Sequence, residues 1–296
     1  MLYNVESPGD WGSVQTASQA RYATETLAMA DGCKLFLRSW RNESPDVLLL
    51  MHGLGAHSGW FIDMGNELAS RGLSVYAVDH RGFGRSEGLP GHVERAANYI
   101  EDLVAVITEI RTRHAGARLS ILGHSMGGIF ATHLAAKHGD LLNGVLFLNP
   151  WVQDTAKTSL GMMLGVFGGG LIRSKRLWRT PGGTESMTTN PEAIRMLEAD
   201  PYWRRELTAN FLLEIFKMRL QVLKLAPRIT IPALVMQAGQ DKAVVPEASR
   251  KLYDALGSSD KTWKFYPDYA HDTELEVDRT QLDSDIVEWI QTRARS

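Results

Sequence analysis

One cysteine, Cys33, stands in 296 residues, so no disulfide can form within the chain. That usage fits a reducing compartment, and Cys33 itself is expected in a strand as a buried, inert thiol. No stretch approaches the ~18 consecutive apolar residues that span a bilayer. Met1 to Ala20 has no basic start followed by an apolar stretch, so it does not read as a secretory signal. The expected location is cytoplasmic. Charge of one sign is also missing. With 34 acidic against 32 basic residues the formal net charge is −2, and no nucleic acid or acidic surface is implied as partner. Histidine and cysteine show no metal-ligand spacing, because glycines isolate His52 and His57 rather than a helix face pairing them. No metal and no cofactor is expected. The chain has no internal repeat and no low-complexity tract.

What is present centres on Ser120-Ile121-Leu122-Gly123-His124-Ser125-Met126-Gly127-Gly128. Leu119 to Leu122 suits a buried strand, and Met126 to His138 reads as a helix. Gly-x-Ser-x-Gly lies between them, where each glycine removes a Cβ that would clash as strand and helix nearly touch. The turn lifts the Ser125 hydroxyl above the sheet edge at a helix N-terminus, which favours developing negative charge.

The rest of the chain alternates. Thr24 to Met29 and Lys34 to Trp40 read as a hairpin turned at Asp31-Gly32. Met1 to Arg21, ahead of it, reads as a loosely attached arm. Asp46 to Met51, Leu73 to Val78, Arg118 to Gly123 and Gly144 to Leu148 are short apolar strands. Helical faces separate them, the clearest holding Ile100, Leu103, Val104, Ile107 and Ile110. From Trp151 to about Pro227 no strand-like run occurs, and helices are expected over Pro191 to Ala199 and Glu206 to Leu225. Strands resume at Pro232 to Gln237 and Thr262 to Tyr266, and Arg279 to Arg293 closes the chain as a helix. This order predicts a mostly parallel central sheet with helices on both faces and one helical insertion.

Four stretches carry a family resemblance. They are His52-Gly53-Leu54-Gly55-Ala56-His57-Ser58-Gly59, Asp79-His80-Arg81-Gly82-Phe83-Gly84-Arg85-Ser86-Glu87-Gly88, Gly123 to Gly128, and the pair Asp241 and His271. In this order they resemble the α/β-hydrolase fold, and within it the monoacylglycerol lipase and lysophospholipase-like branch. The resemblance implies a hydrolase core formed by residues 1–150 and 228–296 and a helical cap, or lid, formed by residues 151–227.

It also implies a site. A serine hydroxyl needs an adjacent base, and this fold orders its triad Ser, Asp or Glu, then His. Ser125 is the expected nucleophile and His271 the base, with Asp241 orienting His271. Asp268 and Asp272 flank the histidine, and Asp79 is the remaining rival, read as a structural acid that ties its loop to backbone N–H groups. His124 reads as a packed, hydrogen-bonded side chain. Backbone N–H groups of Leu54 and Met126 are the expected oxyanion donors. The cap run is expected to place Leu160, Leu164 and Phe167 against an acyl chain, since methionines and glycines suit a surface that repacks. Packing on the core is the alternative use of that run. Arg173, Lys175, Arg176 and Arg179 form a basic edge beyond it. The implied reaction is hydrolysis of a carboxylic ester through an acyl-enzyme, on a monoacylglycerol or similar small-molecule lipid ester, with transient lipid-interface contact through the cap. Small or aryl esters, amides and carbon–carbon bonds are alternative substrates on the same triad. A haloalkane dehalogenase is excluded, because it would carry Asp where Ser125 stands. Oligomeric state is not legible.

Overall fold

A computed structural model describes residues 22–155, 160–180 and 183–293, with Leu160, Met162 and Met163 described by backbone only. The arm expected over Met1 to Arg21 lies outside these residues. In chain order the elements are β1 (Ala23–Ala28), β2 (Lys34–Trp40), β3 (Asp46–Met51), α1 (Ile62–Ser70), β4 (Ser74–Val78), α2 (Ala97–Arg113), β5 (Arg118–His124), α3 (Met126–Lys137) and β6 (Gly144–Leu148). There follow α4 (Leu160–Leu171), β7 (Leu177–Arg179), α5 (Pro191–Ala199), β8 (Glu206–Thr208), α6 (Ala209–Arg219) and α7 (Val222–Leu225). The chain then runs through β9 (Ala233–Ala238), α8 (Pro246–Ala255), β10 (Lys261–Tyr266) and α9 (Thr280–Thr292).

Apolar strands with no polar face must be covered on both sides. Val47, Leu49 and Met51 of β3 pack with α2 and α3, while Leu48 and Leu50 pack with α1 and α9 on the opposite face. The same alternation holds for Val145, Phe147 and Leu146 of β6. Among the described residues the sheet has eight strands in the order β1-β2-β4-β3-β5-β6-β9-β10. β2 alone runs against the rest of the sheet, pairing antiparallel with β1 and β4, and β3 to β6, β9 and β10 pair in parallel. This is the α/β-hydrolase fold. The C-terminal ends of β3, β5, β9 and β10 therefore open on one edge, where α/β sheets bind their ligands.

Three expectations change. Residues 151–227 do contain strands: β7 and β8 form a short antiparallel ribbon. The helix expected over Glu206 to Leu225 starts later and is divided: Glu206–Thr208 form β8, the Thr208 side chain accepts the Phe211 N–H at 3.2 Å and caps α6, and α7 follows as a separate turn after Leu220. Three-residue strands carry too little periodicity to show in sequence. Cys33 lies in the hairpin turn rather than in a strand, half-buried, with its thiol 3.5 Å from the Glu87 carbonyl. The turn itself depends on Gly32 at φ +85.

Candidate active site

Ser125 sits between β5 and α3 with φ 51 and ψ −112, a strained backbone for a residue with a Cβ. Its surroundings leave no other course for the chain. A Cβ on Gly123 would lie 2.2 Å from the Gly127 carbonyl oxygen, and one on Gly127 would lie 2.2 Å from that of Met51. Ser125 N–H donates to the Leu148 carbonyl at 3.0 Å, which fixes the turn to the neighbouring strand.

His271 and Asp241 arrive on loops after β10 and β9. His271 Nε2 is 3.0 Å from Ser125 Oγ, and His271 Nδ1 is 2.8 Å from Asp241 Oδ2. All three side chains are buried. The other oxygen of Asp241 accepts the N–H groups of Ala243 and Val244, both at 2.9 Å. Burial alone would raise the Asp241 carboxyl, but His271 and these N–H groups hold it below the usual carboxylate range. Burial works against the imidazolium of His271, yet Asp241, with help from Asp272 and Glu274, raises its pKa above that of an ordinary histidine. The arrangement can pass a proton from Ser125 to His271 while Asp241 fixes the ring tautomer.

The rival acids are occupied elsewhere. Asp79 accepts the N–H of Ser58 at 2.6 Å and that of Arg85 at 2.8 Å, and so ties its loop down. Asp272 is buried beside His124, with Oδ1 3.6 Å from His124 Nε2. Asp268 is exposed.

Leu54 lies in the turn after β3, and Met126 opens α3, so its N–H is among those a helix leaves without an internal acceptor. A segment between α5 and β8 covers that turn: Arg204 N–H donates to the Gly55 carbonyl at 2.8 Å. Asp200 reinforces the tie. One oxygen lies 3.0 Å from both His57 Nε2 and Trp60 Nε1, and the other accepts the Tyr202 N–H at 2.8 Å.

A cavity of about 760 Å³ reaches Ser125 and His271. Its apolar wall comes largely from α4 and α6, through Val166, Phe167, Leu212, Leu213 and Phe216. Phe167 and Phe216 meet edge to face with ring centroids 5.4 Å apart. The expected acyl contacts therefore separate. Phe167 lines the cavity, whereas Leu164 does not and is 66% exposed. Only the backbone of Leu160 is described. Glycines decide which face of α4 turns inward. Gly165, Gly169 and Gly170 lie so close to Trp178, Ala209 and Leu213 that a Cβ on each would approach within 2.3 to 2.8 Å. Leu164 and Leu171 fall on the opposite face of that helix.

Among the described residues, His124, His271 and Asp272 bring possible ligand atoms within 4.8 Å of one another. Both ring nitrogens of His271 are already engaged by Asp241 and Ser125, and His124 Nε2 faces the His271 carbonyl at 3.1 Å. These groups do not offer three free donors to a cation.

Two supporting residues had no role in the sequence reading. Asn149, at φ 44, donates from Nδ2 to the His271 carbonyl at 2.5 Å and to Thr273 Oγ1 at 2.7 Å. Its Oδ1 accepts the Ala238 N–H at 2.7 Å. It thus ties the loop bearing His271 to the end of β9, near Asp241. In sequence Asn149 is only the residue ahead of Pro150, and Asp200 the residue ahead of Pro201. Neither contact has a local signature, because the partners lie more than 80 positions away.

Fold and site together define a serine hydrolase. The chain belongs to the family described as serine aminopeptidase, S33, which matches residues 42–278. It is similar to the monoglyceride lipase of Mus musculus, at 27% identity over 83% of this chain and 82% of that one. It is 28% identical to an abhydrolase domain-containing protein of Dictyostelium discoideum over 92% of this chain but 29% of that longer one. Among solved structures, a monoacylglycerol lipase of Paleococcus ferrophilus superposes with a TM-score of 0.80 at 25% identity, covering 88% of this chain and 99% of that one.

Proposed function

We propose that the protein hydrolyses single-chain lipid esters, such as monoacylglycerols, through an acyl-enzyme. The observation that carries this reading is the Ser125–His271–Asp241 relay opening onto a largely apolar cavity. Ser125 Oγ attacks the ester carbonyl as its proton passes to His271 Nε2, and Asp241 stabilises the imidazolium. The N–H groups of Leu54 and Met126 hold the oxyanion. His271 returns the proton to the departing alcohol, then activates the water that releases the acid.

In this reading residues 1–150 and 228–296 form the catalytic core and residues 151–227 a cap that supplies the acyl wall. The outer face of α4 supports brief contact with a lipid surface: Leu171 and Ile172 are 78% and 80% exposed. The described residues include no helix long and apolar enough to cross a membrane, so such contact would be peripheral, and a cytoplasmic location is part of the proposal. The mouse relative's name supports the substrate class.

Hydrolysis rates on a graded series of acyl glycerols and p-nitrophenyl esters test this reading. Specificity should climb from acetate towards medium or long acyl chains before levelling. A preference for acetate would replace it with a small-ester hydrolase, and turnover of amides or carbon–carbon bonds alone would replace the reaction class.

A further inference from the structure

Three titratable side chains behind His271 take no part in the relay. His124, Asp272 and Glu274 are each about 1% exposed. The His124 and His271 rings lie 5.0 Å apart, centroid to centroid. His124 Nε2 is 3.1 Å from the His271 carbonyl oxygen, which can only accept, so the ring carries its proton on Nε2. Its Nδ1 lies 3.2 Å from Glu274 Oε1, without the alignment of a hydrogen bond. A bare nitrogen lone pair against a carboxylate oxygen at that distance is repulsive. A proton on either partner, Nδ1 or Glu274, relieves that repulsion. Burial favours the uncharged arrangement, lowering His124 to about 4 and raising Glu274 to about 7. Asp272 is raised to about 7 as well, by burial and then by Glu274. Asp272 Oδ2 and Glu274 Oε2 have no hydrogen-bond partner in this interior.

We propose that Glu274, His124 and Asp272 form a buried proton-holding cluster that sets the charge beside His271 and thereby its basicity. They are positioning residues for the base, and the proposal rests on reading Ser125 and His271 as nucleophile and base. His124 holds the His271 backbone, and the two carboxyls supply the charge. Like charges this close do not both ionise readily, so the cluster passes from neutral to singly negative near neutrality. Asp241 is the other acid facing His271, and Arg279 and Glu276 are the charges acting on Glu274 from outside the cluster. The negative state raises the affinity of His271 for the proton taken from Ser125. Catalysis then depends on two ionisations rather than one.

The test is the pH dependence of fluorophosphonate labelling at Ser125, which needs no knowledge of the substrate. Wild type should show two ionisations on the acid limb. Glu274→Gln combined with Asp272→Asn keeps both shapes and removes the cluster's ionisation, so a single limb should remain, its midpoint lower by roughly half to one pH unit. A profile superimposable on wild type, even with a lowered melting temperature, would overturn the proposal. Should the double variant not fold, Glu274→Gln alone leaves Asp272 to carry the charge without its like-charged neighbour, so the cluster's ionisation should move to lower pH, and an unmoved profile overturns the proposal equally. Infrared titration of the wild-type protein is independent of labelling altogether. It should show a buried protonated carboxylic acid whose carbonyl band fades near neutral pH, and its absence would overturn the proposal. Absent labelling at every pH would refute the nucleophile assignment instead, and the infrared band would then decide whether the cluster exists.

Discussion

The sheet edge and the 151–227 segment contribute to one cavity by different means. At the edge, the buried strands β5 and β9 carry Ser125 and Asp241 and the half-buried edge strand β10 carries His271, all on short loops, and Asn149 and the glycines of the elbow hold those loops through buried contacts. In residues 151–227 the wall rests on α6 and on α4, whose outer face is apolar and exposed, with a ribbon of two three-residue strands beside them. Chemistry needs atoms held within a fraction of an ångström, which a close-packed sheet provides. The acyl binding proposed for the cavity needs area and adaptability, which a glycine-rich helix provides.

The sharpest test of that division removes the nucleophile. Ser125→Ala should lower ester hydrolysis on the order of 10⁶-fold, because triad members act as a unit. Its melting temperature should stay close to wild type, and a phosphonate that still labels the variant would move the nucleophile elsewhere. Asp241→Asn should follow, with turnover reduced by about 10⁴ through the wrong histidine tautomer. Asp79→Asn should do the reverse, sparing turnover while costing ~1–3 kcal/mol of stability, since a buried backbone N–H loses its acceptor. Denaturant melts of the two variants beside their turnover numbers settle which acid does which work.

The junction between the two regions comes next. Asp200→Asn weakens the hold on His57 and Trp60, and should lower kcat/KM by roughly tenfold, equivalent to ~1–2 kcal/mol of a charged hydrogen bond. If kcat/KM is unchanged, the two regions are independent. The pH profile bears on the edge alone. His271 is raised above an ordinary histidine, and only its neutral form accepts the serine proton. Activity should therefore rise with pH and be half-developed above ~6.5, the reference value. A midpoint below that would mean that desolvation outweighs Asp241.

The smallest effect separates Phe167, which reaches the cavity, from Leu164, one turn away and more exposed. Phe167→Ser should flatten the gain of up to ~0.8 kcal/mol per added methylene while leaving acetate esters nearly untouched. Leu164→Ser, on the outer face, should leave the chain-length series of soluble esters unchanged and weaken binding to lipid vesicles. Equal loss for every ester in both variants would make α4 a packing element alone.

The periodicities were enough to identify the core strands, the helices between them and the interruption after Trp151, because burial on two faces leaves continuous apolar runs and burial on one leaves a 3.6-residue period. Gly-x-Ser-x-Gly was legible because its geometry is local. Residue type alone did not separate Asp79, Asp241, Asp268 and Asp272; the family resemblance pointed to Asp241, and the folded loops place its Oδ2 2.8 Å from the ring. The inward face of α4 was closed to sequence. Its glycines gave no sign of which side would lie against Trp178, Ala209 and Leu213, so Leu164 and Phe167 looked equivalent. Local spacing determined the elbow and the element types, because those depend on neighbours within a few residues. Tertiary packing alone decided the grip of Asn149 and Asp200 and the meeting of Glu274, His124 and Asp272 behind His271, because each depends on groups that meet only when distant loops converge on one sheet edge.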